Sequence, residues 1–184
     1  MTRLLEDTSE PSFISPIATL IWEVFIAFII SYLIITFIIQ NTKIDGYSME
    51  PTLRHKDAII INKFIYYFKN PQYGDIIVFP YQKDPSKKYI KRIIGLPGEV
   101  IDIKEGAIYI NGHPLQEPYI TKSWKTKGNI TYPFTIPKNH YFVLGDNRDH
   151  SSDSRFYDVG TIEKSKIFGK AWIRIWPLKS IRKL

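Results

Sequence analysis

The feature that most constrains this chain is an apolar run from Ile17 to Gln40, whose continuous core, Val24 to Ile39, carries no charged residue. A helix crossing the hydrocarbon of a bilayer needs roughly 20 apolar residues. The run reaches that length with Glu23 at the interface or facing a partner, and with Trp22 as an interfacial anchor. A cleavable leader would have a basic flank before it and a small-x-small site after it, and neither is present. The sequence therefore predicts a mixed-charge tail over 1–16, a retained single-pass anchor over 17–40 and one domain over 41–184. Basic residues are sparser before the run (Arg3) than after it (Lys43, Arg54, Lys56). Charge alone thus points the domain toward the cytoplasm, by a rule that weakens for long domains.

After Lys43 the pattern changes to short β-branched runs bounded by Gly and Pro. These are Ala58–Asn62, Asp75–Phe79, Tyr89–Ile94, Glu99–Lys104, Ala107–Ile110, Tyr141–Leu144 and Lys170–Trp176. Glu105-Gly106 and Asn111-Gly112 read as hairpin turns. Residues 115–135 have no period, and no long helical period follows the anchor. The expected fold is mainly β: a single N-terminal transmembrane helix, then antiparallel sheet or a partly open barrel. The 25 basic residues against 18 acidic ones suit an anionic lipid surface or a nucleic acid. They form no basic tract or nucleic-acid motif, but charge alone does not separate the two partners; the expectation of membrane lipid and no nucleic acid comes with the resemblance described below. The absence of cysteine excludes disulfides, thiol nucleophiles and cysteine zinc sites.

Three stretches carry candidate chemistry. In Gly46-Tyr47-Ser48-Met49-Glu50-Pro51-Thr52-Leu53 a serine sits on a turn stiffened by glycine and proline, just beyond the anchor. It is either a polar turn or a nucleophile awaiting a base. In Tyr89-Ile90-Lys91-Arg92-Ile93-Ile94 strand alternation sets Lys91 between Tyr89 and Ile93. It is either an edge lysine or an amine desolvated enough to accept a serine proton. Gly145 to Arg155 gathers Asp146, Arg148, Ser151, Asp153 and Arg155 into a solvated loop or an orienting network. His55, His113, His140 and His150 lack an evident carboxylate orienter and read as surface residues.

Four segments in order resemble the boxes of the type I signal peptidases, membrane-anchored serine–lysine endopeptidases: Ser48–Leu53, Gly74–Phe79, Tyr89–Glu99 and Gly145–Arg155. With the anchor, the resemblance runs from about residue 20 to Pro177. It implies that Ser48 is the nucleophile, Lys91 the general base and Ser151 the hydroxyl orienting the lysine amine. It further implies that Asp153 and Arg155 support them, with Asp146 and Arg148 shaping the same loop. Arg92 and the Gly95–Gly98 turn match structural positions of the lysine box. Some members place a serine two residues before the nucleophile as an oxyanion donor; here that residue is Gly46. The Ser48 N–H would be one donor, and the second is left to another backbone N–H or water.

The same resemblance implies cleavage of preprotein signal peptides after small-x-small sites. Ile44, Met49, Leu53, Val78, Tyr89 and Ile90 match pocket-lining positions; from their residue types alone they are equally core. It implies a monomer without metal or cofactor, in a bacterial-type plasma membrane or a thylakoid membrane. The catalytic domain would stand on the trans side, against the weak reading from charge. Two other functions compete. A self-cleaving repressor-type serine–lysine protease does not account for the anchor or for Pro51. A non-catalytic basic membrane-surface module does not account for the presence of both Ser48 and Lys91.

Overall fold

The computed structural model describes residues 16–126 and 128–184. The tail expected over 1–16 lies outside the described residues, Pro16 excepted. Helix α1 (Pro16–Leu33) runs on as a π-helical stretch over Ile34–Ile38. These 23 residues are long and apolar enough to cross a membrane, and none of the span is buried in the protein.

No linker follows. Ile39–Lys43 forms β1, antiparallel to β2 (Ala58–Asn62) from Ile39↔Asn62 to Lys43↔Ala58. Ile39 and Gln40, which end the apolar run, thus belong to the sheet. Their backbone groups have partners in β2, and the Lys63 N–H donates to the Ile38 carbonyl at 2.9 Å.

The remaining elements are α2 (Ile65–Phe68), β3 (Ile76–Tyr81), β4 (Asp84–Gly95), β5 (Val100–Lys104), β6 (Ala107–Ile110), β7 (His113–Pro114), β8 (Phe134–Thr135), β9 (His140–Leu144), β10 (Ile162–Glu163), β11 (Gly169–Trp176) and β12 (Arg182–Lys183). One sheet runs β1-β2-β11-β3-β4-β9-β10, with β12 on β11; the other runs β7-β6-β5-β8. Every pairing is antiparallel. The fold is mainly β, as the sequence pattern predicts, and its sheets stay open without closing into a barrel. The β5–β6 turn has positive φ at Glu105 and Gly106, and the β6–β7 turn at Asn111 and Gly112. That is the mirror-image geometry that two-residue hairpins require.

Alternation along each strand assigns its side chains to different clusters. On β3, Ile76 and Val78 join Ile44, Met49, Leu53, Ile59 and Ile61, while Ile77 and Phe79 join Ile93, Tyr141 and Val143. A third cluster ties the sheets together: Ile94, Phe142 and Leu144 of the large sheet meet Ile101, Ile103 and Ile108 of the small one. Full burial of one such aliphatic side chain stabilises a fold by about 1.5–3 kcal/mol. The first cluster lies directly under the turn that carries Ser48, because Met49 and Leu53 point down into it.

Candidate active site

The turn between β1 and β2 is held from several sides. Within it, the Leu53 N–H donates to the Met49 carbonyl at 2.9 Å and the Glu50 N–H to the Tyr47 carbonyl at 3.2 Å. At its far end Arg174 of β11 donates to Asp57 at 3.1 Å and to the Thr52 carbonyl at 3.2 Å. Gly46 adopts φ +126°, a value L side chains rarely adopt, and its N–H donates to His55 Nδ1 at 3.3 Å. His55 is therefore a brace of the serine turn, a role its neighbours in sequence do not reveal.

Lys91 approaches Ser48 from β4. Its Cα partner on β3 is Ile77, and the side chain is 3% exposed. Nζ donates to Ser48 Oγ at 2.8 Å and to the Ile90 carbonyl at 3.0 Å. Burial disfavours the charged ammonium and brings its pKa down to about 8; the Asp153 and Asp146 carboxylates oppose that fall, and Arg155 adds slightly to it. A lysine edging a strand into solvent would not be depressed in this way.

The Gly145–Arg155 loop closes the third side. Asp153 is fully buried: it accepts the Gly145 N–H at 3.0 Å and takes Arg155 Nε and Nη2 at 2.8 and 2.9 Å. Arg155 spends its other donors on the Thr126 and Arg148 carbonyls, at 2.7 and 2.6 Å. Asp146 receives Arg92 through two contacts, 2.9 and 2.7 Å, which joins this loop to the strand bearing Lys91. The Asn147 N–H donates to the Ser48 carbonyl at 2.9 Å. Gly145 is required by proximity, since a Cβ there would collide with Ser151 Oγ and the Ser48 carbonyl. Ser151 Oγ lies in that packed junction and, among the described residues, is the buried side-chain polar atom with no hydrogen-bond partner. Its hydrogen bond to Lys91 is thus not formed in this structure.

A cleft of about 570 Å³ opens over Ser48 and Lys91. Of the six apolar lining candidates, Tyr89 and Ile90 reach its walls; Ile44, Met49, Leu53 and Val78 are core residues beneath it. The other walls come from Asp45, Gly46, Tyr47, Glu50, Lys88, Asn147, His150 and Ser152. Two supports come from the aperiodic stretch 115–135. Glu117 takes both terminal nitrogens of Arg148, Nη1 at 2.9 Å, and the Tyr119 hydroxyl donates to Glu117 at 2.7 Å. The Arg92 guanidinium stacks 4.1 Å from the Tyr119 ring. The sequence signal available for them was an acid and an aromatic flanking Pro118, which is too common a pattern to single out.

The family model described as signal peptidase, peptidase S26, matches residues 17–176. This chain belongs to that family. It is accordingly a hydrolase of the serine-endopeptidase type. Signal peptidase I of Leptolyngbya laminosa is 37% identical over 183 residues, covering 96% of this chain and 88% of that one. Signal peptidase I P of Bacillus subtilis subsp. natto is 36% identical over 185 residues, covering 96% and 98%. A solved signal peptidase I of Enterococcus faecalis V583 is 36% identical with a TM-score of 0.46, covering 55% of this chain and 97% of that one.

Proposed function

We propose that this S26 peptidase removes N-terminal signal peptides from exported preproteins, with Ser48 as nucleophile and Lys91 as general base. The observation that carries the reading is the 2.8 Å contact between Ser48 Oγ and a lysine amine whose charge is disfavoured by burial. The neutral amine takes the serine proton as Oγ attacks the scissile carbonyl, and the resulting ammonium then protonates the leaving amine. The Ser48 N–H is one donor to the developing oxyanion, an interaction worth about 3 kcal/mol. Ser151 Oγ is buried beside Gly145 without a hydrogen-bond partner, and we assign it the role of orienting the amine. Asp153–Arg155 and Asp146–Arg92 hold the loop and β4 at fixed spacing.

Cleavage after small-x-small sites follows if a shallow pocket between Tyr89, Ile90 and the serine turn excludes larger side chains. Main-chain pairing of an extended substrate would supply affinity without reading its sequence. We place the apolar helix across the bacterial-type plasma membrane or thylakoid membrane, with a monomeric catalytic domain on the trans side where signal peptides emerge.

The test is cleavage of a detergent-solubilised preprotein by wild type, Ser48→Ala and Lys91→Ala. Wild type is expected to cut at a small-x-small site, and both variants to lose at least about a thousandfold in rate while keeping the wild-type circular dichroism spectrum. A folded Lys91→Ala variant that retains full activity would remove the dyad.

A further inference from the structure

A second cleft, of about 770 Å³, opens away from Ser48, where the apolar helix meets the domain. Phe37 of the π-helical stretch forms one wall; Lys63 and Tyr67 follow β2; Lys164 and Lys166 lie on the turn after β10; Phe168 precedes β11. Glu163 is the single carboxylate among the lining residues, against three lysines.

The helix is fixed to this cleft. Lys63 Nζ donates to the Thr36 carbonyl at 2.5 Å, and the Lys63 N–H to the Ile38 carbonyl at 2.9 Å. The rim of the cleft therefore stands at the level where the apolar helix ends. Beside it α2 presents Phe64, Tyr67 and Phe68 as a cluster, with Phe64 centroids 5.5 and 4.8 Å from the other two. Tyr67 and Phe68 are 80% and 73% exposed. Exposed aromatic rings at a helix exit suit the headgroup layer of a bilayer, where one edge is apolar and the other wet. The lysines match that layer too. Lys63 lies 6.0 Å from the Phe168 ring, and Lys88, which lines the Ser48 cleft and not this one, lies 3.7 Å over the same ring, so each has an apolar surface beneath its charge. Lys164 is held by Asn70 at 2.6 Å, which leaves two of its three N–H donors for a ligand.

We propose that this cleft binds the phosphodiester headgroup of an anionic phospholipid. Lys63, Lys164 and Lys166 surround the phosphate, and the glycerol end and acyl chains lie along Phe37 and the aromatic tip. The proposal rests on the membrane-anchor reading above. A free anion would use the lysines and leave the apolar half of the site idle; a lipid uses both halves. Bound there, it would fix how the domain is rotated about the helix axis as well as how high it stands.

The test uses the full chain. Wild type and a Lys63→Gln/Lys164→Gln/Lys166→Gln variant, in a neutral detergent, are titrated with dioctanoyl phosphatidylglycerol, dioctanoyl phosphatidylcholine and inorganic phosphate. Retained molecules are counted by native mass spectrometry. Wild type is expected to retain one phosphatidylglycerol in preference to phosphatidylcholine, and to retain phosphate weakly. Each lysine removed weakens an anionic-lipid contact about fivefold, so the triple variant is expected to lose about a hundredfold. Cleavage of a short peptide without added lipid should be unchanged, since none of the three lysines lines the Ser48 cleft. Should the triple variant fail to fold, the exposed single change Lys166→Glu carries the same comparison, with a larger loss per site. Equal retention of the two lipids, phosphate retained as tightly as phosphatidylglycerol, or variants that bind as wild type would each overturn the headgroup site. Extraction of wild type from neutral vesicles by alkaline carbonate is read separately: release overturns the anchor reading and the lipid site with it, whereas retention leaves only the lipid site at stake.

Discussion

At the scale of single residues, the proposed mechanism makes Lys91 the group that sets the pH behaviour. An amine with a pKa near 8 is mostly protonated at neutral pH, so kcat/KM on a short peptide should rise about tenfold per pH unit below 8 and level off above it. A profile flat between pH 6 and 9 would remove Lys91 as the base. The same depression bears on stability with a definite sign. The folded pKa lies below the unfolded value, so the unfolded chain holds more protons between about 8 and 10.5, and stability rises with pH across that window. The cost of the buried ammonium is fully present below pH 8, where it amounts to about 3 kcal/mol. Lys91→Met should therefore abolish activity and raise the denaturation midpoint at pH 7, with the gain fading toward pH 10.5. The alternation around Lys91 was legible in the sequence, because period-two patterns in β-branched runs report a face. Its contact with Ser48 was implied by the family resemblance and not by the residue pattern, because the two residues lie 43 positions apart.

At the scale of elements, the sheets followed directly from β-branched runs and turn residues, and the two-residue hairpins from Glu105-Gly106 and Asn111-Gly112. Strand β1 was hidden for a physical reason: Gln40, Asn41 and Thr42 have no strand-like pattern of their own and become a strand by pairing with β2. The supports in 115–135 were hidden too, since an irregular segment is fixed by the groups it touches. Glu117 illustrates the point. Its carboxylate faces the Arg148 side chain, itself 1% exposed, and Glu117→Ala leaves that guanidinium buried without its counter-charge. Removing one partner of such a pair costs about 3 kcal/mol. Chemical denaturation in detergent should show a loss of that size. Adding Arg148→Met should restore part of it, while Glu117→Ala alone should also lower kcat by loosening the loop that packs on Ser48. A variant as stable as wild type would mean the pair is screened by solvent.

For the whole molecule, the arrangement of helix and sheet is the informative feature. The helix ends at Ile38, β1 begins at Ile39, and Ser48 follows nine residues later. A fully extended chain covers about 3.3–3.6 Å per residue, so Ser48 lies within roughly 35 Å of the helix end. Ten Gly/Ser residues inserted between Ile38 and Ile39 would separate Lys63 from the Thr36 and Ile38 carbonyls that it holds. The inserted enzyme is expected to keep wild-type rates on a short peptide in detergent. On a preprotein embedded in vesicles, its rate should fall about tenfold or more, because proximity to the bilayer is no longer prescribed. Equal rates on both substrates would show that the rigid junction has no part in processing.

The rigid junction makes the helix a ruler. A chain hung on a slack tether samples every depth and must choose its cutting point from the substrate's side chains alone. With the helix across the bilayer, as proposed above, height would be set by the anchor, and a polypeptide whose apolar segment shares the same bilayer would be presented at one level. Choice of bond then becomes partly a matter of altimetry: two identical small-x-small sites, one near the surface and one well above it, would meet different fates in front of one serine.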